Sequence, residues 1–174
     1  GFMEICRSYS PVLQKFSIDE CFIDMTLRLY KKDPVYVATK LKDEIHSKLG
    51  FTVNIGIGSN KLLAKMASDF EKPDKVHTLW SYEVPSKMWP LPVGELLWIG
   101  RKTKARLTAY GIYTIGDLAH TSKGKLIRLV GSSFAEQIYE NANGRDPSPV
   151  ETEAQEAKSI SAERTFEKDI SSPK

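Results

Sequence analysis

The chain has 174 residues and a mass of 19.6 kDa, enough for one compact domain or two small ones. With 41% hydrophobic and 27% charged residues the composition is that of an ordinary globular protein, and no apolar run approaches the roughly 18 residues of a membrane span. The net charge of +3 points to no class of partner, but residues 86–145 carry 9 Lys and Arg against 4 Asp and Glu, a local excess of the kind that phosphate binding uses and that a plain solvated surface also shows.

The first half reads as alternating strands and helices. Phe22–Met25 is a short strand. Asp33 and Pro34 then supply a cap and a first-turn proline, and Val37, Leu41, Ile45 and Leu49 follow at spacing four until Gly50 closes the helix. Phe51, Val53, Ile55 and Ile57 alternate as a half-buried strand, with Gly56 and Gly58 on its other face. Ser59 or Asn60 caps a second helix whose apolar face holds Leu62, Leu63, Met66, Ala67 and Phe70, and Pro73 stops it. His77–Trp80 is a further strand. The pattern β-α-β-α-β predicts an α+β fold, a mixed sheet with helices on one face.

The character changes near Pro85, reinforced by Pro90 and Pro92. Short helical stretches follow, separated by glycines: Gly94–Leu97, Lys102–Tyr110, Ile115–His120, Lys125–Val130 and Phe134–Ala142, a small all-α unit. From Asp146 to Ala157 the chain is rich in Pro, Glu and Ala and reads as a linker, after which Ser159–Ile170 regains strand character. The start at Gly-Phe-Met and the end just past a strand-like run predict a fragment of a longer protein. Cys6 and Cys21 are the only cysteines, which fits a reducing compartment better than a disulfide scaffold. His46, His77 and His120 lie too far apart in sequence to read as a zinc cluster.

Three segments carry chemistry. In Ser17–Asp24, SIDECFID, two adjacent carboxylates, Asp19 and Glu20, lie between strand-like residues. A straight strand would point them to opposite faces, so they converge only at a turn or strand end. Converging anions need a cation, and Mg²⁺ suits a site of one or two carboxylates completed by water and phosphate oxygens. A solvated acidic turn is the commoner use of an Asp-Glu pair, but Phe16, Ile18, Phe22 and Ile23 would hold this one against a core. The second segment, Asn54–Lys61, runs from a strand through two glycines into a helix N-terminus. It lacks the third Gly of a dinucleotide loop and the Gly-Lys-Ser/Thr of a P-loop, so close strand-to-helix packing is the favoured reading. Lys72, beyond that helix, is placed to reach a phosphate or to stay solvated. The third segment, Leu96–Ile112, has a Gly turn entering a basic helix that ends at Gly111. This is the pattern of a helix-hairpin-helix, whose turn amides bind a DNA phosphate. Its ligand-free counterpart is a plain helical packing unit.

Taken together these segments resemble the Y-family (translesion) DNA polymerases of the DinB/UmuC type. Ser17–Asp24 is similar to the family's catalytic carboxylate motif, and NIGIGSNKLLAKMASDFEKPDK (54–75) to the palm segment that follows it. Trp89–Ala119 is similar to the thumb with its helix-hairpin-helix, and KSISAERTFEKDI (158–170) to the first strand of the little finger. Cys21 stands where a small residue such as Ala is usual, and Trp98 where the hairpin often has Gly. The resemblance implies a partial palm at residues 1–85, a thumb at 86–145, a linker at 146–158 and the start of a little finger at 159–174. The family's first catalytic Asp and its fingers would lie upstream.

The implied activity is error-prone extension of a DNA primer by two-metal phosphoryl transfer, with two Mg²⁺ per site in the parent and a fragment inactive by itself. By the same resemblance Asp19 and Glu20 are metal ligands, Asp19 bridging both metals and Glu20 on the nucleophile side. Lys72 contacts the triphosphate, and Asp24 is structural. Ile99, Gly100, Arg101, Lys102, Thr103 and Lys104 form the DNA-phosphate turn. The implied partners are primer-template DNA and deoxynucleoside triphosphates, with a sliding clamp as a further one through C-terminal segments, in the cytoplasm and away from membranes. Two other classes compete: a non-catalytic helix-hairpin-helix DNA-binding module, and a cyclase-like nucleotidyl enzyme, which has no need of a duplex-tracking hairpin.

Overall fold

The computed structural model describes residues 1–29 and 32–152. The expected little-finger strand at 158–170 and the expected linker from residue 153 on lie outside the described residues.

Helix α1 (Phe2–Tyr9) leads into strands β1 (Leu13–Lys15) and β2 (Cys21–Ile23), an antiparallel hairpin in which Leu13 faces Ile23 and Lys15 faces Cys21. Helix α2 (Pro34–Leu49) begins where the sequence predicts, because the Asp33 carboxylate accepts from the Val35 amide at 2.9 Å and Pro34 needs no donor in the first turn. It ends at Gly50, whose φ of 77° is the left-handed conformation that costs glycine nothing. Strand β3 (Ile55–Gly58), helix α3 (Lys61–Ser68) and strand β4 (Val76–Leu79) form a parallel β-α-β unit, with Ile55 beside Val76 and Gly58 beside Leu79. Asn60 is the α3 cap, accepting from the Leu63 amide at 2.9 Å.

The expected single sheet is two separate two-stranded ladders, β1–β2 and β3–β4. The expected strand from Phe51 is also shorter, starting at Ile55. β4 offers ladder partners only along 55–58, and Asn54 spends its side chain on the loop after α3. Its amide donates to the carbonyls of Ser68 and Glu71, and its oxygen accepts from the Lys75 amide.

Beyond β4 come short 3₁₀ and π turns between Ser81 and Glu95, then helices α4 (Arg101–Ala109), α5 (Ile115–His120), α6 (Lys123–Val130) and α7 (Ser132–Ala142). Thr114 and Asp117 form a reciprocal capping box on α5. The core does not divide at Pro85. Leu62, Leu63, Met66 and Ala67 of α3 and Leu79 of β4 share one cluster with Met88, Leu96, Leu107, Ile115, Leu126 and Ile138. A second, smaller cluster joins Ile5 and Cys6 of α1 to Leu13, Leu41 and Ile45. Polar ties reinforce the larger junction: Asn60 donates to the Gly144 carbonyl at 2.9 Å, and the Leu62 amide donates to Asp146. No described helix is long and apolar enough to cross a membrane.

Candidate functional site

Asp19 and Glu20 sit in the loop joining β1 to β2. The loop closes because the amides of Phe16 and Ser17 both donate to the Glu20 carbonyl, at 2.9 and 3.2 Å. Leaving the pleat at this point removes the alternation that would have split the two carboxylates. The Ser17 hydroxyl donates to Asp19 Oδ1 at 2.7 Å and lies 3.5 Å from Glu20 Oε2, so the two carboxylates face the same side. Asp19 is exposed, and its pKa is lowered chiefly by the Ser17 hydrogen bond, then by a backbone hydrogen bond, with Lys65 and Lys72 adding attraction.

Helix α3 answers this loop with charge. Lys65 donates to Glu20 and to Asp69, and Asp69 pairs with Lys72 at 2.7 Å. Burial pulls the Lys65 pKa down, but its hydrogen bonds to Glu20 and Asp69 outweigh it and leave it raised. Burial likewise pushes Asp69 up, and its bonds to Lys72 and Lys65 bring it below its ordinary value. The result is a continuous run of hydrogen bonds and ion pairs from Ser17 to Lys72, beside an open groove of about 1160 Å³. Asp19, Glu20, Lys65 and Lys72 all line that groove.

Two site residues escaped the sequence reading, Lys65 and Asp69. Lys61, Lys65 and Asp69 recur at spacing four on the polar side of the helix, a pattern that an ordinary solvated face shows as well. Lys61 donates to Gln14 at 3.0 Å and lies 5.8 Å above the Phe22 ring, so it braces the hairpin from α3. Asp24 lies at the far end of β2 and accepts from the Thr26 amide at 2.8 Å, a turn-forming contact away from the carboxylate pair. Gly56 and Gly58 let β3 pass close under α3: a β-carbon on Gly56 would lie 1.9 Å from the Ala64 carbonyl oxygen. The Asn54–Lys61 segment is therefore a packing device, as the sequence favoured.

The helix-hairpin-helix turn lies at the start of α4. Gly100 caps it without a side-chain bond, so no side chain occupies the first-turn amides, and a β-carbon on Gly100 would meet nothing within 4 Å. Arg101, Lys102 and Lys104 are exposed around it, and Thr103 is half-buried. Ile99 is 7% exposed and belongs to the core, so its side chain anchors the turn from below. Trp98 has a φ of 74°, a left-handed conformation that costs a residue with a β-carbon about 1–2 kcal/mol. The backbone there has a conformation that glycine adopts freely, with an indole added.

Hard carboxylate oxygens held on one side by a shared hydroxyl, with one carboxylate well ionised, suit a divalent cation such as Mg²⁺. The described residues contain no group of three or more His, Cys, Asp or Glu placed to hold a metal ion. Asp19 and Glu20 by themselves supply only two carboxylates, fewer oxygens than such a cation takes.

Comparisons with known proteins bear on this geometry. Residues 1–69 match the "impB/mucB/samB family", and residues 96–146 match the "DNA polymerase-iota, thumb domain". "DNA polymerase IV" of Clostridium acetobutylicum is 43% identical over 170 residues, covering 98% of this chain and 43% of that protein. "DNA polymerase IV 1" of Bacillus subtilis is 38% identical over 168 residues, covering 96% of this chain and 40% of that protein. The chain spans less than half the length of these relatives. Among solved structures, "Crystal Structure of DinB from Sulfolobus solfataricus" superposes with a TM-score of 0.78 at 27% identity, over 87% of this chain and 45% of that one. "Dbh Ternary Complex (substrates partially disordered)" gives the same TM-score of 0.78 and the same 27% identity, over 87% of this chain and 46% of that one. The matches by sequence extend over nearly the whole chain and those by fold over most of it, and the chain belongs to the DinB-type Y family of DNA polymerases.

Proposed function

We propose that this chain is the partial palm and the thumb of an error-prone translesion DNA polymerase that extends a DNA primer by two-metal phosphoryl transfer. The observation that carries the reading is the convergence of Asp19 and Glu20 on one side of a hairpin tip, with Lys65, Asp69 and Lys72 arrayed beside them. A non-catalytic DNA-binding module has no use for that arrangement. The partition is a palm at 1–85, a thumb at 86–145, a linker at 146–158 and the start of a little finger at 159–174, and the two family matches fall on either side of the first boundary.

Asp19 and Glu20 would hold the divalent cations, Mg²⁺ on this reading. When bound, they supply an activated primer 3′-hydroxyl and neutralise charge on the triphosphate and leaving pyrophosphate. Ser17 orients both carboxylates, and Lys65 offsets their mutual repulsion. Lys72, half-exposed at the groove rim, binds the triphosphate. The uncapped amides of the α4 first turn bind one backbone phosphate, with Arg101, Lys102 and Lys104 adding charge. The parent works on primer-template DNA and deoxynucleoside triphosphates in the cytoplasm, with a sliding clamp as a further partner.

Two measurements test this. The purified 174-residue chain should not extend a primer, because two carboxylates do not complete a two-metal site; robust extension by this chain would overturn that part of the proposal. In the full-length enzyme, duplex affinity should fall with salt, and Lys102→Ala/Lys104→Ala should flatten the log–log slope by about 0.9 for each phosphate no longer neutralised. Phosphate contacts carry no base information, so the weakening should be the same on unrelated duplex sequences. An unchanged slope would mean that the hairpin packs the thumb and does not grip DNA.

A further inference from the structure

The turn that would grip DNA and the loop that would hold metal touch each other through two aromatic rings. Phe16 opens the carboxylate loop, its amide bound to the Glu20 carbonyl at 2.9 Å. Trp98 stands two residues before Gly100, the cap of α4. Their ring centroids are 6.2 Å apart at an interplanar angle of 74°, an edge-to-face contact. Phe16 packs edge-on against Phe22 at 5.1 Å, and the Lys61 ammonium lies over Phe22 at 5.8 Å. An aromatic run therefore passes from the α4 turn into the β1–β2 hairpin and is braced there by α3.

Core burial does not account for the tryptophan. Its backbone has the φ of 74° that glycine adopts freely, and its side chain is still 56% exposed. What the indole adds at this position is the ring contact with Phe16. Strain of this kind persists where the surroundings hold it, and it commonly marks a functional constraint.

We propose that Trp98 is a positioning residue: through Phe16 it fixes the loop of Asp19 and Glu20 relative to the turn that binds the template-primer backbone. The inference rests on the polymerase reading and deepens it. Holding the DNA grip and the metal ligands in register is worth a large factor in rate, since displacements of about 1 Å at a reacting centre cost up to about 10²-fold.

The test uses the full-length polymerase and measures single-turnover extension beside duplex affinity. Trp98→Gly and Phe16→Leu should each slow extension by about 10-fold with the duplex Kd unchanged within about twofold. The double variant should be no slower than the slower single one, because both break the same contact. Trp98→Phe, which restores an aromatic edge, should recover most of the rate. Extension unchanged in both single variants, effects that multiply in the double variant, or a weakened Kd at unchanged rate would each overturn the proposal. The last result would mean that the indole stacks on DNA itself. Asp19→Ala in the same assay separates the two claims. If that variant extends normally, the polymerase reading fails; if it is dead while Trp98→Gly is normal, only this inference fails.

Discussion

Replacing Gly56 with alanine is expected to cost about 3 kcal/mol or more and to lower the melting temperature by roughly 6–12 °C. The new β-carbon would stand 1.9 Å from the Ala64 carbonyl oxygen and 2.4 Å from the Ser68 amide nitrogen. Both are backbone atoms of α3, so no side-chain rotation relieves the clash. The helix must move away from β3, and it carries Leu62, Leu63, Met66 and Ala67 into the larger core. Against a typical domain stability of about 5–15 kcal/mol that is a large fraction. Lys65 and Asp69 ride on the same helix end, so the variant also disturbs the charge array beside Asp19. Gly124 in α6 is the control, because a β-carbon there would meet only the Arg128 guanidinium at 4.0 Å. Gly124→Ala should be neutral or stabilise by up to about 1 kcal/mol. Thermal melts followed by circular dichroism separate the two cases. Equal melting temperatures for Gly56→Ala and the unmutated chain would contradict the close seating of α3 on β3.

What was legible in the sequence was what is decided locally. The limits of α2 follow from Asp33, Pro34 and Gly50, because caps act within four residues of themselves. Strand alternation allows Asp19 and Glu20 to converge only at a turn or strand end, and the hairpin loop is such a place. Elements decided by distant partners were not legible. Helix α1 has as its cap only Gly1, which has no side chain to accept from the first-turn amides, and it is held by packing against Leu13, Leu41 and Ile45. Strand β1 is three residues long, too short to show an alternation. The apolar alternation from Phe51 promised a longer strand than β4 can pair.

Proline clusters report chain direction and not packing, so they gave no sign that the α3 core would continue into the helical half. At the site, the carboxylates were readable because their residue type is unusual between apolar neighbours. Lys65 was not, because a lysine on the polar side of a helix is ordinary until a carboxylate from another element is seen beside it. The role of Trp98 lay equally out of reach. Its departure from the usual glycine was visible, but the partner ring comes from Phe16, far away in the chain.

The central claim is that the hairpin tip holds the ligands for nucleotidyl transfer, and it carries the largest expected effect on activity. Asp19 is held ionised by the Ser17 hydroxyl, and Glu20 is held beside it by the same hydroxyl and by Lys65. Removing either carboxylate takes charge from the point where the cations must bind, which is worth several kcal/mol of transition-state stabilisation, or about 10²–10³-fold in rate. Neither residue belongs to the α4 turn, so the proposed grip on duplex phosphates would be left in place. The direct measurement is primer extension and duplex affinity, side by side, for the full-length enzyme and its Asp19→Ala and Glu20→Ala variants. Turnover lower by about 10²-fold or more, with duplex affinity nearly intact, is the predicted result; normal turnover with weakened duplex binding would contradict the assignment.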